Sequence, residues 1–123
     1  MSLKKIFVNV RDNYVINQVA KVKLPQFDSD EIVRYRIIFS GRVQHVGFRL
    51  EVSELAKRLH LTGYCENLEN GDVLAEIQGP SDKIEFLISF MESLKRIKIT
   101  NRTMERLEIV AEEKEFLTKK KKV

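Results

Sequence analysis

Gly41-Arg42-Val43-Gln44-His45-Val46-Gly47-Phe48-Arg49 joins two segments of different periodicity. Before it, Tyr35-Arg36-Ile37-Ile38-Phe39-Ser40 has the β-branched and aromatic content of a strand, which we place over residues 34–40. After it, Phe48, Val52, Leu55, Ala56 and Leu59 recur at the spacing of one helical face. A strand, a glycine-bearing loop and a helix N-terminus bring backbone N–H groups together where an anion can bind.

The charges at this junction favour such a ligand. A helix N-terminus carries about half a positive charge and N–H groups without intrahelical partners. Ser, Thr, Asp or Asn normally caps it, yet none lies between Arg42 and Phe48. Arg49 adds a cation, and Glu51 offsets it only in part. A bound phosphate would satisfy the N–H groups and the guanidinium together. The plainer alternative is a water-solvated turn with Arg49 pointing outward. Local chemistry leaves both open.

Outward from the loop, Leu61-Thr62-Gly63 ends the first helix. Tyr64 to Glu69 and Asp72 to Gln78 then flank Asn70-Gly71, a hairpin signal because both turn residues tolerate positive φ. Val73, Ala75 and Ile77 alternate with Asp72, Leu74, Glu76 and Gln78, as expected for a strand with one face in the core. Ser81 is the expected N-cap of a second helix whose inner face is Ile84, Leu87, Ile88, Met91 and Leu94. Asn101 to Val110 reads as a further strand, and a short last one holds Phe116. The order β-α-β-β-α-β, with one strand appended, predicts an α+β ferredoxin-like sandwich. Each helix has one apolar stripe, so both should cover one face of an antiparallel sheet.

Residues 1–33 are expected to form an extension, with a hairpin turning at Arg11-Asp12-Asn13 between the alternating Ile6, Val8, Val10 and the run Tyr14, Ile16, Ala20, Val22, Leu24. Pro25 to Asp30 would be its connector. The extension would lengthen the sheet or pair with another subunit.

At 123 residues the chain is expected to hold one domain, and no run approaches a membrane span. Its first residues become polar too soon for a signal peptide. The lone Cys65 suits a reducing compartment, so a cytoplasmic protein is the expectation. The sequon Asn101-Arg102-Thr103 is then a chance match. Net charge is +4, but taking the four lysines of Lys119–Lys122 from 22 basic residues leaves 18, equal to the 18 acidic ones. A balanced body does not imply a nucleic-acid-binding face. The tail 119–123 reads as a solvated end.

The stretch Ser40 to Gly79 resembles the acylphosphatase family. Those proteins show Gly-Arg-Val-Gln-Gly-Val-x-Phe-Arg, then Gly-Trp-Val-x-Asn, a turn and a Gly-x-Val strand. Here the counterparts are Gly41 to Arg49, Gly63-Tyr64-Cys65-Glu66-Asn67 and Gly71-Asp72-Val73. Gln78-Gly79-Pro80 also matches a common family sequence. The resemblance spans residues 34–118. It implies hydrolysis of acyl phosphates, small-molecule carboxylic–phosphoric anhydrides, with no metal or cofactor. Arg49 would hold the phosphoryl group and Asn67 would position the attacking water. The phosphate cradle would be the backbone N–H groups of Gln44, His45, Val46, Gly47, Phe48 and Arg49.

Two departures bear on activity. His45 replaces the usual glycine; if that position needs positive φ, it is strained by about 1–3 kcal/mol. It is a tolerated substitution, a change that weakens the loop, or a new proton carrier. Tyr64 for tryptophan is a packing change. The main alternative is a weak or inactive acylphosphatase-like module that binds anions or another protein. Single-stranded RNA binding is a third class, with Tyr35 and Phe39 as stacking residues on the first strand but no aromatic between Asp72 and Gln78. Cys65 is expected to pack in its strand, and His45, His60 and Cys65 have no metal-ligand spacing.

Overall fold

The computed structural model describes residues 2–119. Its elements are α1 (Leu3–Lys21), β1 (Ile32–Arg42), α2 (Phe48–Arg58), β2 (Thr62–Asn67), β3 (Val73–Pro80), α3 (Ser81–Ser93), β4 (Lys98–Leu107) and β5 (Phe116–Lys119). The five strands form one sheet in the order β4-β1-β3-β2-β5. The fold is α+β and close to the ferredoxin-like arrangement.

The core lies between the sheet and α2 and α3. Phe48, Val52, Leu55, Ala56 and Leu59 of the α2 stripe are all buried, as are Ile84, Leu87, Ile88 and Met91 of α3. From the sheet come Val33, Ile37, Phe39, Val73, Ala75 and Ile77. Phe39 meets Phe48 with ring centroids 5.0 Å apart, locking the loop between β1 and α2 to the core.

Several expectations need correction. The first 33 residues contain no hairpin: α1 runs straight through Arg11-Asp12-Asn13. Val8, Asp12, Val15 and Val19 follow helical spacing, and the first proline is Pro25. Ser2 accepts from the Lys5 N–H as an N-cap. Only Val15 and Val19 are buried, and burying that one face against α2 outweighs the short-range alternation. At the other end Arg58 of α2 donates to the carbonyls of Val19 (2.7 Å) and Val22 (2.6 Å). Its charge and N–H groups answer the unpaired, negative end of α1.

The sheet is mixed, not antiparallel, because β5 pairs parallel to β2 from Gly63↔Phe116 to Glu66↔Lys119. The hairpin between β2 and β3 does not turn on two residues of positive φ. Gly71 alone has it (φ 97°), its N–H bonds to the Leu68 carbonyl, and the Leu68 N–H closes onto Asp72. The glycine supplies the left-handed step that follows a tighter turn. Ser81 is the first residue of α3 and not its cap, with its hydroxyl 3.1 Å from that of Ser29. Strand β4 starts and ends three residues earlier than expected, and Ile109 and Val110 follow it, exposed. Lys119 closes β5; the rest of the lysine tail lies outside the described residues.

The second face of the sheet is not simply solvated. The segment after β4 crosses it and covers a charged network. Arg34 donates to Glu76 and Glu113, Arg36 donates to Glu76, and the Tyr64 hydroxyl donates to Glu76 at 2.7 Å. Gln78 exchanges two hydrogen bonds with the Val110 backbone.

Candidate active site

The loop from Val43 to Gly47 is fixed from inside. Val43, Val46 and Phe48 point into the core, while His45 is exposed. His45 and Gly47 both have left-handed backbone, φ 63° and 80°. A Cβ at Gly47 would stand 3.3 Å from both Arg11 Nε and Val15 Cγ2, so side chain and backbone strain are both excluded there by glycine. Gly47 occupies the N-cap position of α2, and no side chain caps the helix. Among the described residues, no turn or cap acceptor takes the N–H groups of Gln44 to Phe48.

Two braces hold the loop. Gln44 Nε2 donates to the carbonyls of Leu68 and Asp72, both at 2.8 Å. That ties the loop to the hairpin that follows Asn67. Arg96, just beyond α3, donates from Nε to the Val46 carbonyl at 2.6 Å and from Nη2 to Glu51 at 2.7 Å. Glu51 is wholly buried, and its other oxygen has no partner. Burial raises its carboxyl above the ordinary range, with Arg96 pulling it partly back. Sequence spacing placed Gln44 in the loop but gave no sign of its side-chain bonds, and nothing in the pattern around Arg96 singled it out.

Arg49 and Asn67, far apart in sequence, line one cavity of about 440 Å³ with Val43, His45, Gly47 and Thr118. Parallel pairing of β5 with β2 brings Thr118 beside Cys65, and Arg49 Nη1 donates to the Lys119 carbonyl at 3.0 Å. Among the described residues this bond engages one of the guanidinium's five N–H donors. Phe48 also lines the cavity, whereas Gln44 and Val46, expected in the phosphate-binding loop, are not among its lining residues; the Gln44 side chain serves the brace and Val46 packs in the core. Val8, Arg11 and Asp12 of α1 form the remaining wall, which the hairpin reading of the extension missed.

The competing chemistries find less support. Cys65 is fully buried, and that burial pushes its thiol up to about 12 despite the nearby Arg49 charge, so it is no nucleophile at neutral pH. Phe39 is buried in the core and cannot stack on a base. Among the described residues no group of three or more His, Cys, Asp or Glu is placed to hold a metal ion.

Comparison with known proteins gives the same answer. Residues 35–118 match the family model described as Acylphosphatase. An acylphosphatase of Clostridium beijerinckii is 37% identical over 92 residues, covering 72% of this chain and 99% of that protein. One from Clostridium perfringens is 49% identical over 53 residues, covering 43% of this chain and 60% of the relative. The crystal structure of acylphosphatase from Bacillus subtilis superposes with a TM-score of 0.65 at 28% identity, covering 70% of this chain and 97% of that one. A family model matched over residues 35–118, and a relative 37% identical and covered over 99% of its length, lead to one classification: the chain belongs to the acylphosphatase family.

Proposed function

We propose that this chain hydrolyses the carboxylic–phosphoric anhydride of acyl phosphates, releasing carboxylate and phosphate, with Arg49 and Asn67 as its catalytic side chains. The observation that carries the proposal is that they line one cavity with His45, Gly47 and Phe48, at an α2 N-terminus that no side chain caps. Arg49 and the loop N–H groups bind the phosphoryl oxygens. Their partial and full positive charges stabilise the negative charge spread over those oxygens in the transition state.

Asn67 orients a water molecule, accepting one of its protons in a hydrogen bond and fixing its lone pair toward phosphorus. The water oxygen forms a bond to phosphorus as the bond to the acyl oxygen breaks. The breaking bond's electron pair stays with the carboxylate. The water's proton passes to a phosphate oxygen. A carboxylate is a good leaving group, so positioning and charge supply most of what the reaction needs.

The test is benzoyl phosphate hydrolysis in EDTA. Removing one charged hydrogen bond costs about 1.5–3 kcal/mol, roughly 10- to 150-fold in rate. That is the smallest loss expected for Arg49→Ala, which removes several such bonds. Asn67→Ala should lower kcat with a smaller effect on KM. Full activity in both variants would refute these roles. Folded wild-type protein without turnover would refute the activity and favour the anion-binding module.

A further inference from the structure

We infer that Arg11, on the helix preceding the family-matched segment, is a specificity-determining residue that selects acyl phosphates whose acyl group carries its own negative charge. The inference rests on the acyl phosphatase reading above and adds the substrate class. Residues 35–118 carry the family match, so α1 is an addition to it. That addition is built into the cleft. Val8, Arg11 and Asp12 share the cavity with His45, Gly47, Arg49 and Asn67. Arg11 lies against the cradle itself, since its Nε and Cδ are 3.3 and 3.4 Å from where a Gly47 Cβ would stand.

The chemistry of Arg11 suits a second anion. Its Nε and Nη2 both donate to one oxygen of Asp12, at 3.2 and 3.0 Å. Among the described residues no acceptor takes the Nη1 edge. The pair is about one-third exposed, so it is a weak and exchangeable contact. A ligand carboxylate can take the free edge end-on, through Nη1 and the second Nη2 hydrogen, in the planar fork that guanidinium offers. The phosphoryl group already has Arg49 and the loop N–H groups, so a second guanidinium in the same cavity is available to the rest of the substrate. The cavity volume is within the range of small-ligand sites, leaving room for an acyl group beyond the phosphate.

The experiment compares kcat/KM for the meta- and para-carboxylated benzoyl phosphates with that for benzoyl phosphate, in wild type, Arg11→Gln, Arg11→Lys and Asp12→Asn. The quantity read is the ratio of carboxylated to plain substrate, which cancels any general loss of folded protein. Arg11→Gln should lower the ratio about 10-fold, as expected for one charge-assisted hydrogen bond. Arg11→Lys should restore part of it, and Asp12→Asn should raise it by freeing the guanidinium. An unchanged ratio in Arg11→Gln overturns the inference. So does an equal fall on all substrates, which would place Arg11 on the phosphoryl group or the loop. Wild-type turnover of benzoyl phosphate separates these failures from failure of the hydrolase reading, because its absence overturns both.

Discussion

Arg96 Nη2 stands 2.7 Å from Oε1 of Glu51, the one carboxylate wholly buried in the core among the described residues. The same guanidinium holds the Val46 carbonyl at 2.6 Å. That bond fixes the direction of the Val46 carbonyl in the loop. Arg96→Met would strand a buried charge and is expected to destabilise the protein by about 3–5 kcal/mol. The cost should vary with pH. Burial raises the Glu51 carboxyl, and a raised acid contributes stability below its unfolded value that is lost as pH rises through the folded one. Urea unfolding should therefore show a larger deficit at neutral pH than near pH 4. A deficit independent of pH would contradict this account.

Gln44 ties the loop before α2 to the hairpin that follows Asn67. Gln44→Leu removes both bonds to the hairpin carbonyls. Small errors in the placement of reacting groups cost up to about 100-fold, so a fall in kcat of about 10- to 100-fold is expected. KM should change less, because Arg49 and the loop remain. Steady-state kinetics on benzoyl phosphate would check it, and a change confined to KM would count against the brace.

Glu76 gives the opposite pH behaviour to Glu51. Burial alone would raise its carboxyl, but bonds from Tyr64, Arg34 and Arg36 outweigh that and hold it below the ordinary value. A depressed acid stabilises the fold above the unfolded value, about 4.3 for glutamate, and loses that stabilisation as pH falls through the folded value. Wild-type stability should therefore drop below about pH 4, and Glu76→Gln should flatten that part of the profile. Thermal melts between neutral pH and pH 3 would show it. Identical profiles for the two proteins would exclude Glu76 as the source.

His45 holds φ at 63° in an exposed loop. Histidine tolerates that region better than most residues, so the strain lies near the low end of about 1–3 kcal/mol. His45→Gly is expected to stabilise by about 1 kcal/mol, a rise in Tm of about 4 °C. Calorimetry measures this directly, and the same variant assayed on benzoyl phosphate reports whether the imidazole takes part in turnover. A lower Tm would mean that the ring makes favourable contacts in its loop.

The legible parts of this fold were those where local and global preferences agree. The α2 stripe and the alternation of Val73, Ala75 and Ile77 in β3 could be read from spacing because each follows the face that packs in the core. The extension misled because Ile6, Val8 and Val10 alternate locally, whereas only Val15 and Val19 bury, and they do so against a helix encountered later in the chain. Of the two residues that share the cavity, Arg49 stood out by its charge at the start of α2 and Asn67 by family resemblance alone. Gln44's side-chain role, Arg96 and Arg11 were not, because each acts across contacts at least 24 residues apart in the chain.

Strand β4 is the outer edge of the sheet, ten residues long and almost entirely exposed. An open edge of that length offers unpaired N–H and C=O groups to any passing chain. Lys98, Arg102, Glu105 and Arg106 put charge along it at intervals. These side chains resist the edge-to-edge growth by which such strands seed aggregates. Exchanging them for apolar, β-branched residues would touch no residue lining the cavity of Arg49 and Asn67, yet turn the same sheet into a template for fibres.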